Sequence, residues 1–183
     1  MAIGFSDTQV KIRDFLHEAN VKTYEDHWAR VSAIHWHPTN PNLMSTGSKD
    51  CEIITYDLRK QRPISHCRGH TQEVCGLKWS PDGSFLASGG NDNNLLIWDP
   101  RRLETPVCYF KEHTAAVKAL GWCPWQKNLV CSGGGSIDKT VKFWNVNEGR
   151  LLDSYDTDSQ VCSLIFNPRS KELVTAHGYS QNQ

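Results

Sequence analysis

Short apolar runs recur along this chain of 183 residues and are separated by clusters of turn residues. The runs VSAIHW, VCGLKW, VKALGW and VCSLIF each close on an aromatic side chain, and these aromatics are 43, 43 and 44 residues apart: Trp36, Trp79, Trp122 and Phe166. A constant period of this length indicates that one structural unit is repeated.

The pattern within each repeated unit predicts four antiparallel strands. The first unit contains VSAIHW, NLMSTGS and EIITYD, which are rich in β-branched or aromatic residues, and the second contains VCGLKW, SFLASGG and NLLIWD. The linkers HPTNPN, SPDG and CPWQKN carry the Pro, Gly and Asn that reverse a chain. Only RDFLHEAN near the N-terminus has a weak helical pattern. The pattern therefore predicts an all-β protein.

A polar set accompanies the strands in each unit. Three of the four closing aromatics are preceded by a histidine at a distance of nine residues, and the fourth has Thr157 in that position. An aspartate in the following turn can accept a hydrogen bond from this histidine, and a strand hydroxyl can join it beside a buried aromatic. The predicted network residues are His27, Thr46 and Asp50, then His70, Ser88, Asp92 and Trp98, then His113, Asp138 and Trp144.

Units of this period with a histidine near the start and Trp-Asp near the end are typical of a WD-repeat β-propeller. The register predicts one propeller region over residues 1–183, with three whole blades at 31–67, 74–110 and 117–155 and two partial blades at 1–24 and 160–183. Such a partial arc leaves apolar blade faces open. We interpret the chain as a fragment of a longer protein; the alternative is that partners or oligomerisation complete the ring.

The composition argues against several classes of function. The 20 basic residues balance the 20 acidic ones, so we expect no nucleic-acid binding by a basic face. No apolar run is long enough for a membrane span, and we expect no membrane association. The seven cysteines form no C-x-x-C pair, which favours free thiols and predicts no metal site and no cofactor.

Two patterns resemble catalytic or nucleotide sites but fit a scaffold better. His70, Asp92 and Ser88 have the residue types of a nucleophilic triad, yet the same trio of roles recurs in the preceding unit, where a second catalytic site is not expected. GGGSIDKT resembles a phosphate loop, but Asp138 precedes its Lys and a strand follows it rather than a helix. We therefore predict that the protein is not an enzyme.

Several strings are more specific than a propeller requires, among them QEVCGLKW, GGNDN, AAVKAL, CPWQ and HGYSQNQ. In these the chain resembles the Fizzy and Fizzy-related proteins, the WD-repeat coactivators of the anaphase-promoting complex. The resemblance implies a receptor that binds degron peptides of cell-cycle proteins and presents them to a ubiquitin ligase. It also implies, as partners, subunits of that complex and checkpoint inhibitors, and a location in the nucleus and cytoplasm.

The recognition surface is expected where loops leading into first strands and loops joining second and third strands meet near the central channel. The leading loops place Arg30, Glu73, Ala116 and Gln160 there, and the joining loops place Lys49, Asn91, Asn93, Ser136 and Ile137. The resemblance implies that a KEN degron is bound by Asn91, Asn93, Ser136 and Gln160. Ser136 stands where the family usually has Thr, so its contact is expected to be weaker.

Parts of the family pattern have no counterpart in these 183 residues. They are the C-box, the Ile-Arg tail and the first and last blades that receive a destruction box. We therefore expect that this chain by itself does not activate a ligase. The alternative function is a WD-repeat scaffold that assembles another complex and has no preference for degrons.

Overall fold

The computed structural model describes residues 1–14, 16, 19–102 and 104–178. In this part of the chain the regular structure consists of β-strands, and no helix is long and apolar enough to cross a membrane. The all-β prediction is confirmed. The weak helical pattern of RDFLHEAN is wrong where it is described, because Arg13 and Asp14 end one strand and Ala19 and Asn20 begin the next.

Within the described residues, seventeen strands form five antiparallel sheets in chain order. The first sheet contains β1 (Ala2–Gly4), β2 (Val10–Asp14) and β3 (Ala19–Tyr24). The first four-stranded blade contains β4 (Val31–Trp36), β5 (Leu43–Ser48), β6 (Glu52–Asp57) and β7 (Ser65–Arg68). The second blade contains β8 (Val74–Trp79), β9 (Leu86–Gly90), β10 (Leu95–Trp98) and β11 (Cys108–Phe110).

The third blade contains β12 (Val117–Trp122), β13 (Leu129–Gly134), β14 (Thr140–Asn145) and β15 (Arg150–Asp156). The last sheet pairs β16 (Val161–Asn167) with β17 (Glu172–His177). Each strand pairs with its neighbour in sequence, as short turns require. This is the blade order of a propeller.

The antiparallel order gives every blade two ends with different loops. We call one end the histidine face: it carries the loops leading into the first strands, with His27, His70 and His113, and the loops joining second to third strands. We call the other end the proline face: it carries the loops joining first to second strands, including Pro81 and Pro124.

The apolar core lies between neighbouring sheets. One buried cluster joins Leu95 and Ile97 of the second blade to Leu120, Trp122 and Val130 of the third. A glycine near the end of the second strand permits this approach, because a Cβ at Gly89 would collide with the backbone of Val117 in the next blade. Close packing of neighbours therefore fixes the blades against one another and positions their loops.

Candidate functional site

The second blade contains a continuous buried network of hydrogen bonds. Trp98 Nε1 donates to Ser88 Oγ at 2.8 Å, and Ser88 Oγ lies 2.8 Å from His70 Nε2. His70 Nδ1 lies 3.0 Å from Asp92 Oδ1, and Asp92 also accepts from the backbone N–H of Thr71 at 2.8 Å. Because a carboxylate only accepts, Nδ1 of His70 carries a proton and donates it to Asp92. The histidine thereby ties the leading loop to the strand and the turn.

The hydrogen-bond network changes the pKa of the Asp92 carboxyl group. Burial alone would raise its pKa, but the hydrogen bond from His70 and the backbone N–H groups of Thr71 and Asn94 outweigh burial and lower the pKa to about 2. The carboxylate is therefore ionised at neutral pH and holds the turn through its bonds.

The first and third blades repeat the network with differences. In the first, His27 lies 2.7 Å from Asp50 Oδ2 and 2.8 Å from Thr46 Oγ1, but the buried hydroxyl of Tyr56 makes no hydrogen bond. In the third, Ser132 Oγ accepts from Trp144 Nε1 at 2.7 Å and lies 2.7 Å from His113 Nε2.

His113 Nδ1 is 3.1 Å from Asp138 Oδ1, which is an ion-pair distance, but this nitrogen makes no hydrogen bond. Ser132 was not among the predicted residues, although its position in VCSGG matches that of Ser88 in LASGG. The predicted network residues of each blade lie beside one another, although His113 and Asp138 are joined by an ion-pair distance and not by a hydrogen bond.

The last sheet contains a similar network in which the histidine occupies a different position. Here the histidine comes from the strand itself: His177 Nε2 lies 2.8 Å from Thr175 Oγ1, and its Nδ1 lies 2.9 Å from Ser159 Oγ. Thr157, in the loop position of the missing histidine, donates to the backbone carbonyl of Lys139 at 2.8 Å. His177 was not predicted, because the repeat register places the network histidine in the leading loop and not in the second strand.

A β-bulge interrupts the start of every first strand. The pairing register shifts between Val31 and Ala33, Val74 and Gly76, Val117 and Ala119, and Val161 and Ser163. The residues inside these bulges are Ser32, Cys75, Lys118 and Cys162. A bulge redirects a side chain relative to the regular pleat. All four of these residues line one cavity of about 330 Å³ between the first strands, which we call the channel cavity.

A second cavity of about 450 Å³ opens on the histidine face above the bulges. The leading loops supply four of its lining residues, as their register predicts: Arg30, Glu73, Ala116 and Gln160. The bulge residues Ser32, Cys75 and Lys118 form its floor, since they also line the channel cavity. Asn91 completes the polar wall from a joining loop.

An ion pair between neighbouring blades shapes the mouth of this cavity. Arg30 Nε donates to Glu73 Oε1 at 3.0 Å and Arg30 Nη2 to Oε2 at 2.7 Å. The bond from Arg30 lowers the pKa of Glu73, which is only 8% exposed. The backbone carbonyl of Glu73 accepts from the N–H of Asn91 at 2.9 Å, and that of Arg30 accepts from Lys49 at 3.0 Å. Leading and joining loops are therefore held together.

The four residues assigned to peptide binding are only partly brought together. Asn91, which is exposed, and Gln160 line the same cavity from two different sheets. Asn93 and Ser136 lie on the same face but do not line the cavity. Asn93 has a φ of 67°, a left-handed conformation that asparagine tolerates well, so its role in the turn is partly conformational. Their part in peptide binding stays a prediction.

The chemistry of the described residues suits binding. They contain no group of three or more His, Cys, Asp and Glu side chains that could hold a metal ion. Burial raises the pKa of Cys75 to about 11, so this cavity-lining thiol is protonated at neutral pH. What the cavity offers is amide, hydroxyl and charged groups for a polar ligand.

Comparison with known proteins places this geometry in a family. The family described as the CDC20/Fizzy WD40 domain matches residues 1–183. The anaphase-promoting complex subunit cdc20 of Dictyostelium discoideum is 47% identical over 186 residues, covering all of this chain and 37% of the relative. Protein FIZZY-RELATED 1 of Arabidopsis thaliana is 46% identical over 183 residues, again all of this chain and 38% of the relative.

A solved structure agrees with these relatives. A chain in the crystal structure of a mitotic checkpoint complex superposes with a TM-score of 0.94 at 42% identity, covering 99% of this chain and 55% of that one. The chain spans less than two fifths of the length of the Dictyostelium and Arabidopsis relatives, 37% and 38% respectively. The propeller fold is confirmed over nearly the whole chain.

Proposed function

Because this chain belongs to the CDC20/Fizzy family of WD40 domains, we propose that it is the substrate-recognition part of a coactivator of the anaphase-promoting complex. In this role the cavity on the histidine face binds short degron peptides of cell-cycle proteins. The observation that carries the proposal is that Asn91 and Gln160, from separate sheets, line one cavity together with the Arg30–Glu73 pair.

The chemistry of the cavity supports a polar peptide of the Lys-Glu-Asn type. The amide of Asn91 is exposed and that of Gln160 partly so, and each amide has both donors and acceptors. The loops that carry them are tied down by backbone bonds, so less conformational entropy is lost when a peptide binds. Subunits of the anaphase-promoting complex and checkpoint inhibitors are the further proposed partners, in the nucleus and cytoplasm.

We propose a binding role and not catalysis. Thr46 and Ser88, the hydroxyls of the triad-like sets, are fully buried and hydrogen-bonded to histidines. A nucleophile must reach its substrate, and these hydroxyls cannot do so without unfolding the blade. Each hydroxyl bonds to Nε2 of the histidine in its own blade and so stabilises that blade.

The test is the affinity of a fluorescently labelled Lys-Glu-Asn peptide, measured by anisotropy with the protein and its variants. Asn91→Ala and Gln160→Ala should each weaken binding about fivefold, the usual cost of one lost hydrogen bond. Asn93→Gly is the correct change at its position because glycine keeps the left-handed turn. Asn147→Ala, an exposed change in the turn between β14 and β15 on the proline face, is the matched control.

The outcomes separate the two functions considered. Unchanged affinity in both Asn91→Ala and Gln160→Ala would place the peptide elsewhere on the protein. Indifference of the unaltered protein to the peptide would favour the scaffold that assembles another complex.

A further inference from the structure

The proline face carries a cavity that the proposed function does not use. It has a volume of about 260 Å³ and lies between the turn joining β8 to β9 in the second blade and the turn joining β12 to β13 in the third. Both of its walls therefore belong to whole four-stranded blades. The apolar part of the lining consists of two prolines and two tryptophans, namely Pro81, Pro124, Trp122 and Trp125.

The preceding junction between blades shows why there is space here. At that junction the ring of His37, which directly follows the closing aromatic of the first blade, lies 4.7 Å from the ring of Trp79. The same position in the second blade is Ser80, whose hydroxyl donates to Asp82 Oδ1 at 2.8 Å. A small side chain thus stands where the first junction has a ring, which leaves space beside Trp122.

The two tryptophans of this cavity differ in their hydrogen bonds. Trp122 is 6% exposed and its Nε1 donates to the backbone carbonyl of Lys78 at 2.9 Å, so it belongs to the packed fold. Trp125 is 38% exposed, and its ring meets the ring of Phe166 edge-on at a centroid distance of 5.4 Å. Its indole N–H donates to no other described residue. A positioned ring with a free donor suits a ligand that has an apolar surface and a carbonyl oxygen.

The two charged side chains of the lining neutralise each other. Lys127 Nζ lies 3.2 Å from Asp82 Oδ2, and this ion pair joins the two blades. Burial would raise the pKa of Asp82, but hydrogen bonds from Ser84 and Ser80 outweigh burial and hold the pKa well below its usual range. The carboxylate is therefore ionised and paired at neutral pH. A cavity without a free charge favours an uncharged ligand group over a charged one.

We propose that this cavity binds an extended, proline-containing segment of a partner protein. Grooves lined by aromatic side chains are the surfaces on which proline rings pack, and the ring of proline carries no charge. A polyproline II segment has no internal hydrogen bonds, so its carbonyl oxygens are free to accept from Trp125 Nε1. The cavity lies at the opposite end of the blades from the cavity on the histidine face, so the inference does not depend on the proposed function.

The test is the binding of a fluorescently labelled decaproline peptide, measured by anisotropy, with a glycine-serine peptide of the same length as reference. The unaltered protein should bind decaproline and not the reference peptide. Trp125→Ala removes the ring and the donor and should weaken binding about thirtyfold, whereas Trp125→Phe keeps a ring and should weaken it about fivefold. Trp28→Ala, which removes a tryptophan that is 78% exposed on the histidine face, is the matched control and should bind like the unaltered protein.

A second measurement follows the donor itself. In a proton–nitrogen NMR spectrum, the indole N–H signal that is lost in Trp125→Phe belongs to Trp125. Decaproline should shift this signal in the unaltered protein and leave that of Trp28 in place. Absence of the shift at saturating peptide would overturn the site.

The remaining outcomes are also decisive. Failure to bind decaproline, equal binding of the reference peptide, or full affinity in a Trp125→Ala protein with unchanged thermal unfolding would each overturn the proposal. A dimer in sedimentation that Trp125→Ala abolishes would assign the cavity to a second copy of the chain instead. Binding of the Lys-Glu-Asn peptide should be the same in Trp125→Ala and the unaltered protein, so the proposed function stands or falls separately.

Discussion

In both the second blade and the last sheet a histidine bonds to a hydroxyl of the second strand. The histidine belongs to the leading loop in the second blade and to the second strand itself in the last sheet. In the second blade His70 comes from the leading loop and joins Ser88 to the Asp92 turn. In the last sheet His177 comes from the second strand and joins its neighbour Thr175 to Ser159 in the leading loop. Both arrangements tie a leading loop to a second strand, so the link is retained although the histidine has moved.

The difference between the two lies in burial and in the number of groups joined. His70 is 7% exposed and connects a chain that runs from Trp98 to Asp92, whereas His177 is only partly buried. Removing a buried member leaves several partners unsatisfied in an environment that water does not reach. The two sites should therefore differ in energy although their bond lengths are similar.

The largest effect is expected for His70→Ala. This change leaves the Asp92 carboxylate and the Ser88 hydroxyl without their partner and should lower the free energy of unfolding by about 3 kcal/mol. His177→Ala should cost about 1 kcal/mol because water can replace its bonds. Urea unfolding followed by tryptophan fluorescence measures both. Equal losses would show that burial does not distinguish the two networks.

A pH titration tests the second blade through Asp92. Its pKa is lowered to about 2 in the folded protein, against about 3.9 in an unfolded chain. The carboxylate therefore stabilises the fold above about pH 4, and this contribution is lost as the pH falls towards about 2. Asp92→Asn should flatten the fall in unfolding free energy across that range. Parallel curves for the two proteins would contradict the assignment.

The repeat made most of the fold predictable. VSAIHW coincides with β4 because short strands in a meander are specified by local apolar pattern and by the turns that bound them. The bulges were not predicted, because an extra residue shifts the alternation of a strand by one position and a run of six residues is too short to reveal that shift. His177 was not predicted because hydrogen-bond networks depend on distance in space, which can be met from more than one sequence position.

For the candidate site, the sequence predicts which loops line the cavity but not which joining-loop side chains reach it. The leading-loop positions Arg30, Glu73 and Gln160 follow from the repeat register and all line the cavity. Asn93 and Ser136 do not, because the direction of a turn side chain depends on local dihedral angles such as the positive φ of Asn93. Lys118 was missed for the same reason that the bulges were.

The smallest effect is expected at Tyr56, which extends the comparison to the first blade. Its hydroxyl is fully buried without a hydrogen bond, although Thr46 and Asp26 lie near enough to affect its pKa. Tyr56→Phe should change the free energy of unfolding by less than about 0.5 kcal/mol, since an unsatisfied polar group is removed. Ser88→Ala also removes one buried hydroxyl but leaves His70 and Trp98 unpaired, and should cost about 2 kcal/mol. A large loss in Tyr56→Phe would mean that the first blade contains a connected network like that of the second.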